Sequence, residues 1–160
     1  MMTDTSCASR RTFLQLSCFT LTAAALGLNS ADAVPLPVSF IDGVQTGSEH
    51  RYPVPASDGV TIDRKGQIII VRYQGYAYAF NLSCPHENTA LKWLPKDMRF
   101  QCPKHESKYQ PNGTFTSGRA TRNMDRLAIR RDGDALAVDL SHIIKSDVDA
   151  ARWMAAAIQL

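Results

Sequence analysis

The sequence predicts an all-β domain, built mainly from antiparallel strands. Three observations lead there. Short runs rich in β-branched and aromatic residues recur at regular spacing, separated by Gly, Pro, Asn and Asp turns. Two of those turns, Gln74-Gly75 and Asp132-Gly133, sit between runs that can pair as hairpins. The 160 residues, 44% hydrophobic and 21% charged, suffice for one domain with a real core, and nothing past the N-terminus reads as a linker.

The first 33 residues read as an export signal rather than as part of that domain. Ser9-Arg10-Arg11-Thr12-Phe13-Leu14 matches the twin-arginine pattern. An apolar run over residues 13–28 follows, diluted by Gln15, Ser17, Thr20 and Thr22. Ala31-Asp32-Ala33 then offers a small-x-small cleavage site. The apolar run is short for a membrane span, which needs about twenty residues. The expected location is therefore the periplasm. An uncleaved anchor in the inner membrane is the lesser reading, and membrane association is expected only in that case.

The mature domain, residues 34–160, opens with a Pro-rich extended lead-in over residues 34–47. Arg51-Tyr52-Pro53-Val54 reads as a strand, with Pro53 marking an edge. Val60-Thr61-Ile62 is a second. Residues 67–73 are β-branched and residues 76–80 alternate aromatic with alanine, so the two flank Gln74-Gly75 as a hairpin. Arg99-Phe100-Gln101 is a short strand, and Pro111-Asn112-Gly113 a strong turn. Residues 127–131 and 135–140 form the second hairpin. After Leu140 the pattern changes. Ser146 and Asp149 fit a capping box, and the Ala-rich residues 150–160 predict a terminal helix docked on the strands.

Chemistry concentrates between Cys84 and Tyr109. Cys84-Pro85-His86 is followed, fifteen residues later, by Cys102-Pro103-Lys104-His105, with Ser107 and Tyr109 just behind. Zinc could use two Cys and two His, but common zinc modules pair like with like. Here each half is mixed, as a cluster with two unlike irons requires: each loop gives its Cys to one iron and its His to the other. Cys7 and Cys18 fall in the segment expected to be removed, so the metal would use both remaining Cys and no disulfide is expected.

At these residues the chain resembles the Rieske [2Fe–2S] family, over roughly residues 80–130. The resemblance implies an antiparallel sandwich or barrel base with a small cluster-binding subdomain, here about residues 82–112. It implies one [2Fe–2S] cluster, with Cys84 and Cys102 on a buried iron and His86 and His105 on an outer one. Two neutral imidazoles make reduction easier than two more thiolates would. It further implies that Ser107 and Tyr109 donate hydrogen bonds to cluster sulfurs and raise the potential. His50 and His142 are expected at the surface.

The resemblance is incomplete. Family members in cytochrome bc complexes carry an extra Cys in each cluster loop and a Pro-rich loop over the cluster. Here Glu87-Asn88-Thr89-Ala90-Leu91 and Lys104 stand at the Cys positions, and residues 118–125 contain no Pro. The expected function is therefore one-electron transfer by a periplasmic carrier, or by the small subunit of an exported oxidoreductase, with unidentified redox protein partners. The alternative is a quinol-oxidising subunit of a membrane cytochrome bc-type complex. No separate catalytic site is seen. A ring-hydroxylating oxygenase fails on length, since it needs a second domain for a mononuclear iron. With no basic run interleaved with aromatics, a nucleic-acid partner is excluded, and the net charge of +3 is small.

Overall fold

Nine short strands make one curled sheet, and four more make a smaller sheet beside the two Cys-His loops. The structure, a computed structural model, describes residues 34–160; the twin-arginine signal and cleavage site lie outside the described residues. In chain order the strands are β1 (Val38–Phe40), β2 (Val44–Thr46), β3 (Glu49–Pro53), β4 (Gly59–Asp63), β5 (Ile68–Tyr73) and β6 (Tyr76–Asn81). There follow β7 (Lys92–Leu94), β8 (Arg99–Gln101), β9 (Lys108–Tyr109), β10 (Phe115–Ser117), β11 (Arg126–Asp132) and β12 (Ala135–Ile144). A short helix, α1 (Ala150–Ala155), and β13 (Ile158–Gln159) close the chain. The large sheet runs β1-β4-β5-β6-β11-β12-β3-β2, with β13 added to β6, and the small one runs β10-β9-β8-β7. All pairs are antiparallel except β1 with β4.

The strand patterns explain how the two sheets meet. Ile68 and Ile70 of β5 face a core inside the large sheet, with Tyr52, Leu127, Leu136 and Val138. Ile69 and Val71 face a second core, with Trp93, Phe100, Cys84, Cys102 and Tyr109. A strand buried on both faces has to be apolar throughout, which is why this stretch reads as an unbroken run. On β6 the small Ala77 and Ala79 point into the first core, and Phe80, flanked by Tyr78, toward the second. The aromatic–alanine alternation thus builds a platform under the cluster-bearing sheet.

The structure corrects parts of the sequence reading. Residues 34–47 are not a plain lead-in, because β1 pairs with β4 and β2 with β3. The β11–β12 turn is centred one residue later than predicted, since Asp132 pairs with Ala135 and Gly133 takes φ +63°. Ser146 does not cap the helix; its Oγ accepts from Asn123 N–H at 3.2 Å. Asp149 is the cap instead, accepting from Arg152 N–H at 2.9 Å. The helix stops at Ala155 because Ile158 and Gln159 pair with Ala77 and Tyr76. His50 is buried rather than at the surface, at 4% exposure, whereas His142 is exposed.

The C-terminal segment is held by one buried cation. Arg126 donates to the carbonyls of Trp153 (2.6 Å) and Asn112 (2.9 Å), and stacks on the Trp153 ring at 3.7 Å. Burial pushes its guanidinium down to about 10, which leaves it charged at neutral pH. Among the described residues, no helix is long and apolar enough to cross a membrane.

Candidate metal centre

Two loops of the same backbone form make the site. In the first, Cys84 N–H donates to Thr89 O (2.8 Å) and Asn88 N–H to Cys84 O (2.9 Å). In the second, Cys102 N–H donates to Ser107 O (2.8 Å) and Glu106 N–H to Cys102 O (3.0 Å). Each closes through a residue at positive φ, Asn88 at 51° and Glu106 at 55°. Asn tolerates that region; Glu holds it at a cost of about 1–2 kcal/mol, which the two bonds offset. The first loop follows β6, and the second links β8 to β9, so both stand on paired strands.

The four predicted ligands fall into two pairs, the thiols buried in the core around Tyr109 and the imidazoles partly exposed. Cys84 and Cys102 are free thiols at 0% and 1% exposure. Outside them the His86 and His105 rings lie 4.9 Å apart between centroids, nearly perpendicular at 79°. His105 Nδ1 is buried without a hydrogen-bond partner. Among the described residues, the group of potential ligands lying within 4.8 Å of one another is His86, Glu87 and His105, without either thiol. A single tetrahedral zinc would need all four donors to converge. Two buried thiols and a separate pair of adjoining imidazoles, one with an orphaned nitrogen, suit a centre that extends over two metal ions.

Ser107 and Tyr109 are both fully buried. The Tyr109 hydroxyl lies 3.4 Å from Cys84 Sγ. Burial, then the bond to Cys84 and its charge, raise the phenol well above its ordinary value, so it stays a donor. Ser107 Oγ accepts from Ala120 N–H at 2.9 Å, which leaves its own proton for another acceptor.

Two contributors, Lys104 and Gly118, escaped the sequence reading, and a third, Glu87, is visible there only as an acid beside a ligand without a place. Glu87 stands between the histidines, its Oε1 3.9 Å from His86 Nδ1 and 3.7 Å from His105 Nδ1. Its other oxygen accepts from Lys104 Nζ, so an ion pair clasps the first loop to the second. That ammonium holds the Glu87 carboxyl below its ordinary value. At Gly118 a Cβ would lie 2.4 Å from Ser107 Cα. The segment after β10 thus packs directly on Ser107, a close approach that the glycine hinted at in sequence.

A family model of the Rieske [2Fe-2S] domain matches residues 48–138. The cytochrome b6-f complex iron-sulfur subunit 3 of Nostoc sp. strain PCC 7120 is 42% identical over 38 residues, 24% of this chain and 21% of its own. Subunit 2 of the same strain is 33% identical over 52 residues, 32% of this chain and 29% of its own. The chain therefore spans under a third of the length of the curated relatives it matches. Among solved structures, the plasma membrane Rieske protein of Synechocystis PCC 6803 has a TM-score of 0.42 at 23% identity, covering 57% of this chain and 86% of that one. The ferredoxin of carbazole 1,9a-dioxygenase from Nocardioides aromaticivorans IC177 has a TM-score of 0.38 at 18% identity, covering 54% and 88%. With the family model spanning more than half of the sequence, the all-β fold and the paired Cys-His loops are those of an electron-transfer domain that binds one [2Fe-2S] cluster, and the chain belongs to the Rieske [2Fe-2S] domain family.

Proposed function

We propose that Cys84 and Cys102 hold the inner iron and His86 and His105 the outer one, and that the chain is a one-electron carrier of the periplasm, alone or as the small subunit of an exported oxidoreductase. When bound, the cluster takes up and returns one electron. The protein's part is to keep the sulfur side dry, supply donors at it, and leave the imidazole side near water. Tyr109 and Ser107 are the donors, and a negative charge gained on reduction favours both bonds. The side chains of His86 and His105 are 28% and 20% exposed, which gives a short path out.

The clasp between Glu87 and Lys104 carries the preference for a carrier. It lies at the imidazole side, where a quinol would have to dock. A neutral quinol would desolvate that pair and return no charge in exchange. A quinol-oxidising membrane subunit is the second reading, favoured by the b6-f relatives and the Tyr109–Cys84 contact. Cell fractionation separates them. A carrier is recovered soluble and passes its electron to soluble acceptors. Recovery with membranes, with quinol reducing the cluster there, overturns the carrier reading.

Export belongs to the same proposal. Residues 1–33 would direct the chain to the twin-arginine route, which carries folded proteins and so suits a domain loaded before export. Replacing Arg10 and Arg11 with Lys should leave the loaded protein in the cytoplasm. Normal periplasmic accumulation of that variant removes the localisation.

A further inference from the structure

The charge of the molecule is concentrated in one part. Residues 82–125 carry seven Lys or Arg against four Asp or Glu, while the rest of the described residues carry nine of each. The whole net +3 of the chain therefore belongs to the cluster-bearing segment. Three of its four acids are matched locally: Asp97 by Arg99, Asp125 by Arg122 and Glu87 by Lys104. Among the described residues, Lys92, Lys96, Lys108 and Arg119 form no ion pair.

Register puts two of these on one face. Lys92 pairs with Gln101, Gln101 with Lys108, and Lys108 with Ser117. Side chains directly opposite across antiparallel strands share a face, so Lys92, Gln101 and Lys108 line the outer side of the small sheet, with Ser117 brought beside Lys108 by the irregularity after Phe115. The alternate rung, Trp93, Phe100, Tyr109 and Phe115, lines its inner side against the core. The lysines are two strand spacings apart, about 10 Å. Gln101 Oε1 between them has no hydrogen-bond partner, so neither ammonium is spent on it. This is also the rung nearest the second loop, since Gln101 precedes Cys102 and Lys108 follows Ser107. Exposed Arg119 continues the patch just past Ser117, and Lys104 stands at the loop tip. Packing asks for no cation at Lys92, Lys108 or Arg119, and Lys104, already paired with Glu87, adds only its place beside them.

We propose that this face, Lys92 and Lys108 with Lys104 and Arg119, is where an acidic redox protein docks, so that the electron passes at the imidazole edge beside it. The proposal rests on the electron-carrier reading. A protein surface suits the face better than a lipid surface does: none of the exposed large apolar side chains of the described residues falls within residues 82–125, so nothing there can enter a bilayer.

The test uses the exported, purified protein with its cluster reduced, and two inorganic oxidants of opposite charge. Hexacyanoferrate(III) and tris(phenanthroline)cobalt(III) each remove the one stored electron and transfer no atom. Lys92→Glu/Lys108→Glu is compared with Lys65→Glu/Lys145→Glu, which changes net charge equally but on the base. The first pair should react with hexacyanoferrate(III) about three- to tenfold more slowly than the second at low salt, and faster with the cobalt complex. The two should converge as salt is raised. Polyglutamate, standing in for an acidic protein, should slow the wild type and the base pair but not the first pair. Equal rates for the two pairs, or equal inhibition by polyglutamate, overturn the proposal. Lys92→Gln/Lys108→Gln serves if the charge reversals do not fold. Sedimentation with phosphatidylglycerol vesicles at roughly 0.15 M salt, lost in the first pair, overturns it in favour of a lipid surface. A wild type with no reducible cluster overturns both this and the carrier reading.

Discussion

At the scale of single residues, the hydroxyl of Tyr109 is the sharpest handle on the potential. It lies 3.4 Å from Cys84 Sγ, with both residues fully buried. A hydrogen bond to a charged acceptor is worth about 1.5–3 kcal/mol, and about half of that distinguishes reduced from oxidised. At roughly 43 mV per kcal/mol for one electron, Tyr109→Phe should lower the potential by about 30–65 mV. Potentiometry checks this; an unchanged potential in a variant with the normal cluster spectrum removes Tyr109 as a donor. Such pairings were legible because the Cys, His, Ser and Tyr spacings all fall on one short stretch. Glu87 was legible only as an acid beside a ligand, because its place depends on Lys104 from the other loop, seventeen residues away. His50 was misread for a related reason. It shares the inward face of β3 with Tyr52, and its neighbours there, Asp63 and Gly66, come from another hairpin.

Among the elements, the segment from Gly118 to Asp125 does more than cover space. Ala120 N–H fixes Ser107 Oγ, Met124 N–H donates to Gly113 O at 2.9 Å, and Asn123 Oδ1 accepts from Phe115 N–H at 2.9 Å. It is thus stitched to both sides of the turn at Asn112. Gly118 permits this with φ +110° and its bare Cα against the backbone of Ser107. Gly118→Ala meets both obstacles, so the segment must move. The expected cost is about 1–3 kcal/mol, with faster cluster loss on dilution and a lower potential, because Ser107 loses its place as a donor. A variant of unchanged stability and potential would show that the segment does not support Ser107. Hairpins with strong turns were legible, because their pairing is local. The strands β1 and β13 were not, because each is two or three residues long and exists through a partner distant in sequence; β2 and β7, three residues each, pair with their chain neighbours but are too short to show a period. The early end of α1 shares the cause of β13.

For the molecule as a whole, what matters is how the open ends of the large sheet meet. β4 lies near one end of the strand order and β3 near the other, yet Tyr52 of β3 donates to Asp63 of β4 at 2.8 Å. Asp63 also accepts from Gly43 N–H at 2.9 Å and Gly66 N–H at 2.8 Å, and His50 Nδ1 stands 3.9 Å away. The seam is closed by one carboxylate, not by a ladder, so no periodicity announces it. Burial at 2% exposure raises the Asp63 pKa, but the bonds from Gly66, Gly43, Tyr52 and Lys65 N–H outweigh it and hold the group below its ordinary value. A carboxyl lowered in the native state contributes stability that is complete above the unfolded value near 3.9, falls as pH drops below it, and is gone beneath the native value. Asp63→Asn keeps the volume and removes the charge. Urea unfolding should place it about 1.5–3 kcal/mol below the wild type near neutral pH. The gap should begin to close on acidification past about pH 4, as the unfolded carboxyl takes up its proton, and close fully only below the lowered native value. Cluster loss in acid affects both proteins, so the difference between them is the reliable quantity. A gap that stays constant from neutral pH to about pH 3 would mean that the seam is not held by an ionised Asp63.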